Sequence, residues 1–62
     1  MTERVFLKEA RERSGLTMKV LSDIVQISEG AYCNIERGKR TPSVPVAKRI
    51  AKALNIDWTL FY

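Results

Sequence analysis

Apolar residues recur along this chain at helical spacing, and nowhere do they alternate with period two for long enough to suggest a strand. Leu7, Ala10, Arg11 and Ser14 fall at i, i+3, i+4 and i+7, which predicts a first helix from about Arg4 to Arg13. Gly15 closes it, because glycine enters the left-handed region cheaply. Thr17 stands where an N-cap belongs, and a second helix is expected from there to about Val25, burying Val20, Leu21, Ile24 and Val25. After a short break at Gln26-Ile27, Ser28 caps a third helix from Glu29 to about Arg37, and Gly38 stops it. Lys39 to Pro42 reads as a basic loop. Ser43 caps a fourth helix that tolerates Pro45 in its first turn and buries a stripe of Val46, Ala47, Ile50, Ala51 and Leu54. Asn55 is its expected C-cap, and Asp57 caps a last short helix, Trp58 to Tyr62. The expected fold is all-α, five short helices in one compact bundle, with residues 1–62 forming a single domain free of repeats or linkers.

Size and composition narrow the function classes. Sixty-two residues with a 45% hydrophobic share suit a small folded domain, not a disordered tail. No apolar run approaches the roughly 20 residues that span a bilayer. Met1-Thr2-Glu3-Arg4 is not followed by the apolar core of a signal peptide, so a cytoplasmic protein with no membrane partner is expected. Cys33 is the only cysteine and there is no histidine, which leaves no intramolecular disulfide and no plausible zinc site. No nucleophile stands with a base and no glycine-rich loop can cradle phosphate, so neither catalysis, nor a cofactor, nor a metal is expected.

Charge points elsewhere. The net charge is +4, and it is lopsided: residues 1–36 carry five basic and six acidic side chains, whereas residues 37–62 carry six basic ones against Asp57 alone. Such asymmetry suggests a polyanionic partner, although on charge alone a merely solvating surface fits equally well.

The second and third helices supply the context. They are joined by too few residues for antiparallel packing, so they must cross steeply, as in a helix-turn-helix. On the third helix Glu29, Gly30, Cys33, Asn34 and Arg37 share an arc of about 140°, while Ala31, Tyr32 and Ile35 lie opposite and Glu36 at the border. An ordinary amphipathic helix would look the same. The short turn before it and the basic loop after it favour a helix that enters the DNA major groove.

These residues resemble a known family. Leu7-Lys8-Glu9-Ala10-Arg11, Gly15-Leu16-Thr17, Ile27-Ser28, Ile35-Glu36-Arg37-Gly38-Lys39-Arg40, Pro42-Ser43 and Ala47-Lys48-Arg49-Ile50-Ala51-Lys52-Ala53-Leu54 match the Cro and λ-repressor-like (XRE) helix-turn-helix family in order and spacing. The resemblance runs from Leu7 to Leu60. It implies a λ-repressor-like fold and a DNA-binding transcriptional regulator of bacterial or phage type, a repressor that binds an inverted-repeat operator in double-stranded DNA as a homodimer. It also implies an ion pair between Arg11 and Glu36, locking the first helix to the third. Base contacts would fall to Ser28, Glu29, Gly30, Cys33 and Asn34. Asn34 is the foremost of these, since its amide can bridge N6 and N7 of adenine. Glu29 can accept from cytosine N4 but repels phosphate; Gly30 either permits close approach or is simply tolerated. Phosphate contacts would come from Thr17, Met18 and Lys19 at a helix N-terminus, and from Arg37, Lys39 and Arg40 beside the third helix. Lys48, Arg49 and Lys52 read as a solvated face first, with a distant phosphate contact by Arg49 or Lys52 as the alternative.

Three positions depart from the family pattern. Met18 stands where glutamine is usual, which removes a side-chain phosphate contact. Ser22 replaces alanine at the helix crossing. Gln26 replaces glycine in the turn, so it must accept a left-handed conformation or impose a different turn. Cys33, on the expected DNA-facing side, reads as a bland small side chain before a redox sensor whose oxidation would block binding. At the C-terminus Trp58 and Leu60 are expected in the core, and Phe61 and Tyr62 at a dimer interface. The rival function is an antitoxin or small regulator whose main partner is a protein, docked at that aromatic end.

Overall fold

Every α-helix in the computed structural model, which describes residues 3–62, ends on a residue that the helix cannot itself continue. Helix α1 is Val5–Arg13, α2 Met18–Val25, α3 Glu29–Glu36 and α4 Val44–Leu54. Met1 and Thr2, expected to open the chain without an apolar leader, lie outside the described residues. After each helix the chain turns left-handed, at Gly15, Gln26, Gly38 and Asn55. The next amide then bonds five residues back: Leu16 to Arg11, Ile27 to Ser22, Lys39 to Asn34 and Ile56 to Ala51, at 2.9–3.2 Å. The left-handed residue's own amide bonds three residues back, so two of the orphan carbonyls at each helix end find donors.

The beginnings are as well defined. Thr17 Oγ1 accepts from Val20 N at 3.1 Å, Ser28 Oγ from Ala31 N at 3.1 Å, and Ser43 Oγ from Val46 N at 3.4 Å. These are the three N-caps read from the sequence. Helix α1 has no side-chain cap and starts at Val5, with Arg4 just outside it.

The expected five helices become four. The fifth element, Trp58–Phe61, is a 3₁₀ turn whose Asp57 Oδ1 accepts from Thr59 N at 3.0 Å, a bond that holds the Asp57 carboxyl below its ordinary range. The observed facing is the reverse of the expected one. At three residues per turn Trp58 and Phe61 lie on one side and Leu60 on another. Phe61 is 5% exposed, edge-on to Phe6 with centroids 5.7 Å apart, while Leu60 is 56% exposed. Phe61, expected at an interface, is buried in the core of the chain, and Leu60, expected in the core, is exposed. Trp58 is half-buried against the core. Tyr62 is exposed, and its hydroxyl donates to the Pro42 carbonyl.

The core gathers Leu7, Ala10, Leu21, Val25, Tyr32, Ile35, Ala47, Ile50, Leu54 and Phe61. Two expected members are missing. Val20 and Ile24 are each about half exposed, because α2 turns Leu21, Ser22 and Val25 inward and carries Val20 and Ile24 on a face roughly 100° or more away. Val46 of the fourth stripe is only half-buried. Ser22 is buried, and it donates its hydroxyl to Lys19 O at 2.7 Å, so its polar atom is satisfied inside the helix. The described residues contain no strand, and none of their helices is long and apolar enough to cross a membrane.

Candidate nucleic-acid interface

Helices α2 and α3 are separated by Gln26-Ile27-Ser28 alone. Gln26 takes the left-handed conformation, φ 69° and ψ 44°, so the turn keeps its geometry without glycine. A side chain at such a φ costs about 1 kcal/mol relative to glycine. The tight turn sends α3 steeply away from α2 and leaves the first turns of both helices open to solvent.

The orientation of α3 is set from its inner face. Tyr32, Ile35 and Glu36 are buried there. Glu36 receives two of the three nitrogens of the Arg11 guanidinium, Nε to Oε2 at 2.9 Å and Nη2 to Oε1 at 3.1 Å, and the two side chains are only 7% and 10% exposed. The remaining prong, Arg11 Nη1, donates to Leu16 O at 2.8 Å. A fork used on three acceptors allows α1 one register against α3. Burial alone pushes the Glu36 carboxyl up, but the Arg11 hydrogen bonds, the nearby Tyr32 hydroxyl and the Arg11 charge outweigh it, and the group ends below its ordinary value. Arg11 is held more firmly protonated, chiefly by its hydrogen bond to Glu36. Tyr32 Oη is buried beside the pair with no hydrogen-bond partner of its own, and burial followed by the Glu36 charge pushes its ionisation far up.

With the inner face locked, the outer face presents what the sequence placed there. Ser28, Glu29, Gly30 and Asn34 are exposed and Cys33 is half-buried. The Ser28 hydroxyl is occupied as the cap of α3. A Cβ added at Gly30 would meet nothing within 4 Å, so the glycine is not demanded by packing within the chain. Of these residues Asn34 and Glu29 carry free polar groups on side chains long enough to reach a base edge.

The flanks differ in kind. At the start of α2 the Thr17 side chain caps the helix and Met18 is half-buried against the core, so a backbone anion contact there rests on amides of the open first turn. Lys19 pairs with Asp23 at 3.7 Å, both more than half exposed, an attraction of little strength. After α3, Arg37, Lys39 and Arg40 are all exposed. The Lys39 and Arg40 amides both donate to the Asn34 carbonyl, at 2.9 and 3.2 Å, which folds the basic loop back onto the same turn that carries the Asn34 side chain.

Two arginines outside the expected set also bear on this surface. Arg49, placed by its sequence context on a solvated face, donates Nε to Val25 O at 3.1 Å and so closes the C-terminal end of α2. Arg4 donates to the end of α3 and to the basic loop. Both bonds join residues more than 20 positions apart, and no local spacing announces them. Lys48 instead lies over the Trp58 ring, 5.1 Å from its centroid.

This is the architecture of a helix-turn-helix protein, and a family model described as helix-turn-helix matches residues 7–61. The chain belongs to that family, in its XRE branch, whose members are DNA-binding transcriptional regulators. It is 41% identical over 59 residues to an uncharacterized HTH-type transcriptional regulator, YqaF, of Bacillus subtilis (strain 168), covering 95% of this chain and 78% of that protein. A counterpart in Methanothermobacter thermautotrophicus is 35% identical over 51 residues, 82% of this chain and 74% of its own length. The Mycobacterium tuberculosis regulator Rv0474 is 33% identical over 57 residues, and there the chain spans only 41% of the relative.

Proposed function

We propose that this protein is a cytoplasmic, non-enzymatic transcriptional repressor. It binds an inverted-repeat operator as a homodimer and places α3 of each copy in the major groove. The observation that carries this reading is the pairing of a locked inner face on α3 with an exposed polar outer face. Asn34 reads a base, Glu29 accepts from or excludes another, and Gly30 lets the helix sit close to the groove floor. Arg37, Lys39 and Arg40 grip the backbone on one side and the open first turn of α2, at Thr17, Met18 and Lys19, on the other. In the dimer, exposed Tyr62 and Leu60 replace buried Phe61 as the apolar contact surface.

Selection of the purified protein against a random duplex library tests the reading. Two inverted half-sites centred about one helical turn apart are expected. Replacing Asn34→Ala should then cost about 1–3 kcal/mol and relax preference at one base position per half-site. Unchanged preference at every position would remove Asn34 as a reader. A second reading, a regulator whose main partner is another protein, draws on Leu60 and Tyr62, 56% and 60% exposed at the C-terminal end. Failure to enrich any sequence, with binding that vanishes as salt rises, would favour it.

A further inference from the structure

Arg4 precedes α1 and turns its side chain away from it. Its backbone amide donates to Glu36 O at 2.9 Å. Its Nη1 donates to Ile35 O at 2.6 Å and to Arg40 O at 3.1 Å. The guanidinium carbon lies 5.8 Å from the centroid of the Phe61 ring, itself a core residue. One half-buried side chain thus spans the last turn of α3 and the far end of the basic loop, backed by an aromatic face.

Each contact has a physical reason. Ile35 and Glu36 belong to the last turn of α3, whose carbonyls lack intrahelical donors, and a cation there also meets the negative end of the helix dipole. The Arg40 carbonyl closes the loop whose Lys39 and Arg40 amides are already held by Asn34 O. The loop is therefore tied at its amides to α3 and at its last carbonyl to Arg4. A loop ordered before binding loses less conformational freedom when its side chains meet phosphates. Both side-chain bonds leave from the one Nη1, while the guanidinium carbon lies over the Phe61 ring, a placement that the more strongly hydrated ammonium of lysine reproduces less well.

We propose that Arg4 is a positioning residue for DNA binding: its own charge is spent inward, and it holds the Gly38 to Arg40 loop so that Lys39 and Arg40 face the backbone. This rests on the reading of Lys39 and Arg40 as phosphate contacts. The test uses the full chain and a duplex of mixed sequence, with Arg4→Gln, Arg4→Lys, Arg40→Gln and the Arg4→Gln/Arg40→Gln double variant. Amide exchange is measured without DNA, and the slope of log K against log salt with it.

Arg4→Gln should speed exchange at the Lys39 and Arg40 amides while α4 is unaffected, and lower the salt slope by about 1, as Arg40→Gln does. The double variant should lose little more than either single one, and Arg4→Lys should fall between Arg4→Gln and the parent. Unchanged exchange at Lys39 and Arg40 overturns the proposal whatever DNA binding does. Slope losses that add to about 2 in the double variant also overturn it, since Arg4 would then touch a phosphate itself. If Arg40→Gln leaves the slope unaltered, the phosphate role of the loop fails separately, and the exchange rates still decide whether Arg4 anchors it. Loss of melting temperature with parental exchange and slope in the folded protein would reduce Arg4 to a stabilising residue and end the proposal.

Discussion

Helix α2 rests on α4, and the residues they bury against each other's side of the molecule, Leu21 and Val25 from one and Ala47, Ile50 and Leu54 from the other, belong to one apolar cluster. Helix α3 meets α1 differently. There the apolar packing of Tyr32 and Ile35 into the same cluster is joined by the Arg11–Glu36 fork, with Arg4 reaching the α3 terminus from the segment before α1. An apolar seam stabilises by area removed from water and has little directional preference. A bidentate ion pair does the reverse. It adds little net stability once desolvation is counted, but it fixes rotation and register. The scaffold helix is held by the first kind of contact, and the helix with the exposed polar face by both. The fork therefore adds aim to a helix that the shared apolar core already holds.

Substitutions can break this contrast, beginning with the largest effect. Glu36→Ala strands the Arg11 charge in a buried site and should cost about 3–5 kcal/mol, enough to unfold much of a domain this small. Arg11→Met combined with Glu36→Leu should cost far less in urea titration. Equal losses in the two variants would mean that the pair itself, and not the stranded charge, holds the seam. Leu21→Ala should cost about 2–5 kcal/mol through the cavity it leaves, yet the folded fraction should keep its base preference. A shifted preference would show that the apolar seam aims α3 as well.

Acid should act on one seam only. The Glu36 carboxyl is held below its ordinary 4.5, so its contribution is complete above about that pH and is lost as pH falls through its lower folded value. Arg11 keeps its proton throughout. The parent should therefore lose stability more steeply in acid than the Arg11→Met/Glu36→Leu variant; matching acid limbs would assign the loss to other carboxyls. The smallest expected effect is a gain. Gln26→Gly relieves the left-handed strain in the turn between the two helices, offset in part by a freer unfolded chain, and should stabilise by about 0.5 kcal/mol. A loss on thermal melting would mean that the Gln26 side chain makes a contribution its φ does not reveal.

Much of this molecule was legible in short windows of sequence. Thr17, Ser28, Ser43 and Asp57 were readable as caps because each bonds an amide two or three residues ahead, within the reach of local pattern. The two faces of α3 were readable because angular position on a helix follows from residue number alone. Other features were not. Helix α2 carries apolar residues on two faces, and nothing local says that Leu21 and Val25 turn inward while Val20 and Ile24 stay half exposed. In the C-terminal segment, which of the apolar side chains turns inward is set by how the turn docks against Phe6 and α4, which no local period announces. The Arg11–Glu36 pair was reached only through family resemblance, since its partners are 25 residues apart.

By itself, then, the sequence determined where helices begin and end, which side of α3 is polar, and that the basic residues gather after it. These depend on backbone bonds and periodicities that span a few residues. The tertiary structure alone decided which arginines find a partner in the fold: buried Arg11 on Glu36, half-buried Arg4 on Ile35 and Arg40, and exposed Arg49 on Val25, while Arg37, Lys39 and Arg40 point their side chains at solvent. All are the same or similar cations in the sequence. What separates them is whether folding brings a carbonyl or carboxylate within about 3 Å of the guanidinium, and that is settled by how the helices pack.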